Sequence, residues 1–171
     1  MSYFNQFGTI LYDPVGDGSA KLCTNIMSRV RVRANMKKEI VMLDSYDVKE
    51  NETPEIVSDK HHGSPYYHWV IMLLNDISDV NHDWVKSTRQ LQKYLLTKYT
   101  ETQLTETHHY EISQTSGDTT TTIEVENATY PSASIVTNYE YEVALNDSKR
   151  QINLLRNDYL GFFTEEFANL I

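Results

Sequence analysis

One segment of the chain is apolar in a pattern that only a deeply buried helix explains. Between residues 65 and 74, apolar side chains recur at the spacing of one helical face, and further apolar side chains cover most of the other faces. The first set is Tyr67, Val70, Ile71 and Leu74, and the second set is Trp69, Met72 and Leu73. A helix that is hydrophobic nearly all round must be buried nearly all round, so we expect this helix at the centre of the core.

Signals for helix ends place two helices in this region. Thr53-Pro54 and Ser64-Pro65 each supply a hydroxyl for the N-cap and a proline for the first helical position. Gly63 falls between them, where a left-handed C-cap is needed. We therefore predict a short helix over residues 54–61, a second helix over residues 65–74, and a short returning strand or an anchor at Trp84-Val85.

The rest of the chain mixes helical and extended patterns. The Thr-rich stretch after residue 97 favours extended structure, because β-branched side chains suit a pleated surface. Two alternating runs within it, residues 108–112 and 119–125, predict a hairpin with a Gly-containing loop of about five residues. Elsewhere we predict helices over residues 22–29, 87–100 and 146–171, and strands over residues 30–33, 39–43 and 134–142.

These elements predict the α+β class, with five segments along the chain. They are an N-terminal arm with a short helix and strand (1–45), a segment that contains the two core helices (46–86), a helix (87–100), an acidic Thr-rich β region (101–145) and a C-terminal amphipathic helix (146–171). The arm and the last helix each carry more apolar surface than a small domain can bury. Such surfaces are typical of a subunit that completes its packing on its neighbours.

The net charge of −9 is concentrated in one part of the chain. No Lys or Arg occurs between Tyr99 and Ser148, whereas nine Asp or Glu residues do. An opposite cluster precedes it: Arg29, Arg31, Arg33, Lys37 and Lys38. The two patches can pair with each other or with copies and partners in an assembly, or both can be solvated faces. The overall acidity argues against nucleic acid as a partner, because a phosphate backbone attracts basic surfaces.

Known patterns of catalytic and metal chemistry are absent from the sequence. Six His residues match no metal-ligand spacing, there is no phosphate-binding Gly-rich loop, and no nucleophile-elbow motif surrounds a Ser. Cys23 is the only cysteine, which excludes an intrachain disulfide. The longest apolar run, residues 69–74, is far below the roughly 20 residues of a membrane span, and the N-terminus does not resemble a signal peptide. We expect no enzyme activity, no cofactor, no metal and no membrane association.

Residues 46–57, followed by His62-Gly63 and by Asn75-Asp76-Ile77, resemble a LysM module. That small module consists of a strand, two helices and a returning strand, and it typically binds glycans that contain N-acetylglucosamine. The resemblance implies a LysM-like core that contains Tyr46, Gly63, Trp69 and Trp84. Asn51 stands where the module usually has Gly, in a loop that would line the sugar groove. Glycan binding is the alternative function that this resemblance implies.

A longer resemblance implies a structural role. The segment from Gly63 to Asn75, followed by Asp83-Trp84, is similar to the small baseplate wedge protein of T-even-like contractile-tailed phages, in the form found in phages of cyanobacteria. The aromatic arm that ends at Tyr12-Asp13 and residues 25–32 resemble the same family.

This family resemblance implies a subunit of the virion tail that is assembled in the host cytoplasm. In such a baseplate, six copies, one per wedge, clamp wedge proteins and join neighbouring wedges into the ring around the tail hub. The implied partners are other wedge subunits, neighbouring wedges and the sheath-initiating protein, with no nucleic acid and no membrane.

If the role is structural, the functional residues are those that meet partners. The predicted interface residues are Phe4, Phe7, Arg29, Arg31, Arg33, Phe162, Phe163 and Phe167. Two alternatives remain open: the arginines can pair with the chain's own acidic segment, and the C-terminal phenylalanines can pack on the predicted hairpin.

Overall fold

The computed structural model describes residues 3–28, 30–32 and 41–171 and divides the chain into two compact units. The first unit comprises Met1–Trp84 and Gln151–Ile171, and the second comprises Val85–Arg150. Helices and antiparallel sheets occur in both, which confirms the predicted α+β class. The first unit is therefore built from two separate stretches of chain, and the second is inserted between them.

The described residues form the following strands and helices. The strands are β1 (Thr9–Tyr12), β2 (Lys21–Thr24), β3 (Leu43–Asp47), β4 (Thr107–Ser116), β5 (Thr119–Val125), β6 (Ser134–Thr137) and β7 (Gln151–Leu155). The helices are α1 (Pro54–His62), α2 (His68–Leu74), α3 (Val80–Asp83), α4 (Thr88–Lys98), α5 (Glu101–Leu104), α6 (Asn138–Asp147) and α7 (Asn157–Leu170). Short 3-10 turns cover Tyr3–Gln6 and Pro65–Tyr67.

The two predicted helices of the core are confirmed, together with their caps. The Thr53 hydroxyl accepts a hydrogen bond from the Ile56 amide at the start of α1. Gly63 ends α1 with a φ of 70°, a left-handed conformation that favours glycine. Ser64 then caps the 3-10 turn that leads into α2. Each of these signals acts within a few residues, which is why the sequence alone reveals them.

A two-stranded sheet of β3 and β7 completes the core of the first unit. The strands are antiparallel, with Leu43 opposite Leu155 and Asp47 opposite Gln151. Helix α2 packs on α1 and on β7, so the order of packed elements along the chain is strand, helix, helix and strand. The last of these strands comes from the C-terminal stretch.

The predicted returning strand at Trp84-Val85 was wrong, because neither residue lies in a strand and β7 takes the place beside β3. Trp84 instead follows α3, and its buried indole Nε1 donates to the backbone carbonyl of Glu52 over 2.8 Å. The five residues of β7 can form more backbone hydrogen bonds with β3 than a two-residue segment can, and they place Ile152 and Leu154 in the core.

The single C-terminal helix predicted for residues 146–171 was also wrong. The predicted helix would begin at Asn146, Asp147 and Ser148, but these residues lie at the end of α6. Strand β7 separates α6 from α7. Ile152 and Leu155 fit a helical spacing, but Ile152 and Leu154 also fit the two-residue period of a strand. Residues 151–155 form a strand instead of a helix because they pair with β3. Only α7 retains the predicted amphipathic helix.

The N-terminal segment forms a hairpin instead of the helix predicted for residues 22–29. Strands β1 and β2 pair antiparallel, with Thr9 opposite Thr24 and Tyr12 opposite Lys21. No strand forms over residues 30–32. Arg33 and residues 39–40 of the strand predicted for residues 39–43 lie outside the described residues, and of the other three only Leu43 lies in a strand, at the start of β3.

The second unit contains a three-stranded antiparallel sheet in the order β5-β4-β6. The predicted hairpin is confirmed, but its strands are longer and its loop is only Gly117-Asp118. Gly117 has a φ of 60°, as the first central position of a two-residue type II′ turn requires. The strand predicted for residues 134–142 stops at Thr137, because the Thr137 hydroxyl caps α6. Helix α4 begins after Ser87 in a capping box, as predicted.

Candidate partner-binding surface

Two apolar grooves open on the surface of the first unit, and Leu73 of α2 lines both. The arm groove has a volume of 420 Å³ and lies between the N-terminal residues and α2. Phe4 and Tyr66 are exposed at this groove, whereas Trp69 lines it from the core. Exposed aromatic side chains next to an apolar groove are typical of a surface that buries itself against a partner.

The C-terminal groove has a volume of 300 Å³ and lies between α7 and residues 30–32. Phe162 and Leu170 are exposed at it, with 62% and 63% of their surfaces accessible. Arg31 and Glu166 add one charge of each sign to its lining. The groove therefore offers a partner apolar contact and two charged groups that can set its orientation.

An aromatic cluster beneath the grooves holds the N-terminal residues and α7 on α2. The Trp69 ring centre lies 4.5 Å from that of Phe167, 5.5 Å from that of Tyr3 and 6.2 Å from that of Phe163. Phe7 is buried in the same cluster. Because these rings belong to three separate segments, the shape of both grooves depends on Trp69.

The structure divides the predicted interface residues into two sets. Phe4, Arg31 and Phe162 are exposed and line the grooves. Phe7, Phe163 and Phe167 are buried around Trp69, and Phe163 and Phe167 also line the C-terminal groove from the core. Within the first unit, Phe163 and Phe167 pack on Trp69 of α2. Arg29 and Arg33 lie outside the described residues.

The β1–β2 hairpin adds a further exposed apolar surface to the first unit. All eight residues of its strands are exposed, including Leu11, Tyr12 and Leu22. Asp13 closes the turn, since its carboxylate accepts hydrogen bonds from the amides of Gly16 and Gly18. These hydrogen bonds hold the pKa of Asp13 below its ordinary value. An isolated two-stranded hairpin is marginally stable in water, so contact with a partner would stabilise it.

The residues predicted for the core near the two helices have different environments. Trp69 and Trp84 are buried, Tyr46 is half-buried, and Gly63 is exposed at its helix end. Sequence reasoning missed Glu52, which links Tyr46 to Trp84. Its carboxylate accepts hydrogen bonds from the Tyr46 hydroxyl (2.9 Å), the Lys49 amide (2.9 Å) and the Lys60 ammonium (2.5 Å).

The hydrogen bonds to Glu52 keep it charged although it is buried. Burial alone would raise the pKa of Glu52, but the donors from Lys60, Lys49 and Tyr46 outweigh burial and lower it. Burial and the bond to Glu52 raise the pKa of Tyr46. In the sequence, the signal for the hydrogen bonds around Glu52 was its position just before the helix start at Thr53-Pro54.

Asn75 joins the end of α2 to β7 through its side chain. The amide nitrogen donates to the carbonyls of Ile71 and Asn153, each at 2.8 Å, and the amide oxygen accepts from the Asn153 N–H at 2.9 Å. The side chain thus adds a second donor to the Ile71 carbonyl, which also accepts from the Asn75 backbone N–H, and it pairs with the strand edge as a backbone residue would.

His62 at the end of α1 is held in its neutral form. Asn157 donates through its amide nitrogen to the His61 carbonyl, so its oxygen accepts from Nδ1 of His62 at 2.8 Å. The other ring nitrogen, Nε2, is buried and has no hydrogen-bond partner in the described part of the chain. Burial lowers the pKa of His62 from its ordinary value of 6.5.

This environment predicts a loss of stability in mild acid. Below pH 6.5 the unfolded chain binds a proton at His62 that the folded chain resists, so stability falls as the pH is lowered. We expect the melting temperature to decrease between pH 7.5 and pH 5.5, and to decrease less in His62→Gln. Comparing the two proteins at pH 8, where the histidine is neutral in both states, separates the packing effect of the substitution. Equal pH slopes for the two proteins would contradict this assignment.

The described residues give no indication of metal or membrane chemistry. Among them, no group of three or more His, Cys, Asp or Glu side chains is placed to hold a metal ion. No helix within the same ranges combines the length and the apolar character needed to cross a membrane. The surfaces that stand out are therefore the grooves and the hairpin.

Comparison with known proteins identifies the family. The family model described as base plate wedge protein 53 matches residues 19–132. This range covers more than half of the 171 residues and includes the two core helices, α4 and the β4–β5 hairpin. A comparison with curated proteins found no match. The resemblance seen in the sequence is thereby confirmed: the chain belongs to the base plate wedge protein 53 family and is a structural protein of a phage tail base plate.

Proposed function

We propose that this subunit clamps wedge proteins together and joins neighbouring wedges into the ring around the tail hub. The observation that carries the proposal is the pair of apolar grooves on the first unit, with Phe4, Tyr66, Phe162 and Leu170 exposed at them. Two grooves that share Leu73 can hold two partner segments at once, which is what a clamp requires.

The proposal includes the assembly that the family resemblance implied. Six copies, one per wedge, would contact the other wedge subunits, the neighbouring wedges and the sheath-initiating protein, with assembly in the host cytoplasm. The exposed β1–β2 hairpin supports this part, because it offers a partner apolar side chains from both strands. Arg31 would set the orientation of a partner at the C-terminal groove.

We further propose that the core is LysM-like, with its second strand supplied by β7. The order of β3, α1, α2 and β7 supports this, as does the antiparallel pairing of β3 with β7. Asn51 has a φ of 62°, so it adopts the left-handed conformation that glycine takes most readily. The backbone of this loop is therefore compatible with the module, even though the side chain differs.

Phe162 provides the first test of the grooves as interfaces. Phe162→Asp is expected to weaken binding to the other wedge proteins at least tenfold, because a carboxylate would have to be buried in an apolar contact. Folding should be unaffected, since 62% of Phe162 is exposed. Leu96→Asp on α4 is a matched control, because Leu96 is also 62% exposed and lines neither groove.

The measurement is the mass of the complex by light scattering on a size-exclusion column. The purified chain is mixed with the wedge proteins encoded by the same phage, singly and together. Phe162→Asp binding as tightly as the unchanged chain would contradict the groove as an interface. Titration with chitin oligomers tests the alternative glycan function, and we expect no shift in the amide spectrum of the chain.

A further inference from the structure

The second unit has a sheet edge without the usual protection against strand pairing. In the order β5-β4-β6, β5 lies at one edge, and no strand lies beyond it in the described ranges. Its seven residues contain no Lys and no Pro, and they pair with β4 without a bulge. Natural edge strands are commonly protected by one of these devices. The one charged side chain of β5 is Glu124, so a strand that balances this charge can pair with β5.

The hairpin turn determines which backbone groups of β5 point outward. Ser116 and Thr119 flank the two-residue turn and face each other across the hairpin. In such a turn the flanking pair exchanges backbone hydrogen bonds, and alternate residues beyond it point away from the partner strand. The N–H and C=O groups of Thr120, Thr122 and Glu124 are therefore directed to the open edge.

The two faces of the sheet differ in chemistry next to this edge. One face carries apolar side chains on all three strands: Tyr110, Ile112, Ile123, Val125 and Ile135. Ile123 and Ile135 are exposed on it. A strand added beside β5 would extend this face, so every second residue of that strand should be apolar.

The opposite face is acidic at the edge. Glu111 and Glu124 lie directly opposite each other on neighbouring strands, an arrangement of like charges that destabilises a sheet. His109 lies 3.7 Å from Glu111, whereas Glu124 forms no ion pair within the described residues. No Lys or Arg occurs between residues 99 and 148 to balance these charges. A basic residue on an added strand would balance Glu124.

We propose that β5 binds an extended segment of another base plate protein, in which apolar residues alternate with Lys or Arg. The segment would add a fourth strand, with its apolar residues beside Ile123 and a basic residue beside Glu124. A second copy of β5 fits poorly, because it would bring another Glu124 and no basic residue. This inference rests on the proposed function, since it names the kind of segment that a wedge partner contributes.

Hydrogen exchange in the assembled wedge tests the inference directly. The chain is compared alone and in complex with the wedge proteins of the same phage, with residue-level fragmentation in the mass spectrometer. The amides of Thr120, Thr122 and Glu124 should exchange rapidly in the free chain and at least tenfold more slowly in the complex. The amides of Thr121 and Ile123, which point to β4, should change less. A complex in which the outward amides remain as fast as in the free chain would overturn the proposal.

Substitutions in β5 distinguish the contribution of its backbone hydrogen bonds to binding from the contribution of its side chains. Thr122→Pro removes one outward N–H and should weaken assembly at least tenfold, whereas Thr122→Val keeps that N–H and should bind within twofold of the unchanged chain. Circular dichroism and the exchange of inward amides establish that the hairpin still forms. Glu124→Lys should also weaken binding, and Glu124→Gln less so. Equal binding by Thr122→Pro and Thr122→Val would overturn strand addition.

Comparing the binding of Phe162→Asp, in the first unit, with that of Thr122→Pro, in the second, distinguishes a failure of this inference from a failure of the proposed function. Binding that is lost in Phe162→Asp but unchanged in Thr122→Pro would leave the clamp intact and overturn strand addition alone. A chain that binds none of the wedge proteins would overturn both.

Discussion

Replacing Trp69 with Ala is expected to lower the free energy of unfolding of the first unit by about 4 kcal/mol. The side chain is only 4% exposed, and its ring packs on Tyr3, Phe163 and Phe167. Removing it would leave a cavity among three segments that have few other contacts in common. The measurement is denaturant unfolding followed by circular dichroism, with light scattering to confirm that the variant remains soluble.

Trp69→Phe is the matched control for this substitution. The indole N–H of Trp69 is buried and has no hydrogen-bond partner within the described residues, so phenylalanine removes an unsatisfied donor together with part of the ring. We expect a loss of about 1 kcal/mol for Trp69→Phe, well below that of Trp69→Ala. Comparable losses for the two variants would contradict this prediction, because the stability would then come from the part of the indole that phenylalanine lacks and not from the aromatic packing that both rings provide.

Local signals in the sequence identified the helices around Trp69, but they did not indicate which strands pair with each other. Thr53, Ser64 and Ser87 mark helix starts through hydrogen bonds to amides two or three residues away, so each start is readable from a few neighbouring residues. The pairing of β3 with β7 joins Leu43 to Leu155, and nothing near either strand specifies the other. The sequence therefore predicted the type of most elements, but assigned the returning strand to the nearest short segment.

The same difference explains which of the predicted interface residues are exposed. Phe163 and Phe167 are four residues apart on α7, so they share one helical face, and that face covers Trp69. Phe162 lies on another face and remains exposed. Aromatic content alone could not separate these residues, because the identity of the covering surface depends on how α7 packs. The Glu52 network was missed for a related reason, since Tyr46, Lys60 and Trp84 converge on it only after folding.

Replacing Lys98 with Met is expected to destabilise the second unit by about 2–3 kcal/mol, because it leaves a buried carboxylate without its cation. The Lys98 ammonium lies 2.5 Å from Oε1 of Glu142, whose side chain is 3% exposed. The hydrogen bond to Glu142 raises the pKa of Lys98 above its ordinary value. The Lys98 side chain is itself 44% exposed, so water screens part of the interaction and the expected loss is below that of a fully buried pair.

A double variant determines whether the charge of Glu142 is the cause. In Lys98→Met with Glu142→Leu, both charges are gone and an apolar side chain fills the buried position, so at least half of the lost stability should return. In the single variant, Glu142 keeps the hydrogen bond from the Tyr99 hydroxyl at 3.1 Å. A neutral donor stabilises a buried carboxylate less than an ammonium does, so this bond does not replace Lys98. Chemical denaturation of the unchanged chain, of Lys98→Met, of Glu142→Leu and of the double variant measures the difference. If the two substitutions simply add, the stability of this unit comes from the packing of the Lys98 and Glu142 side chains and not from their charges.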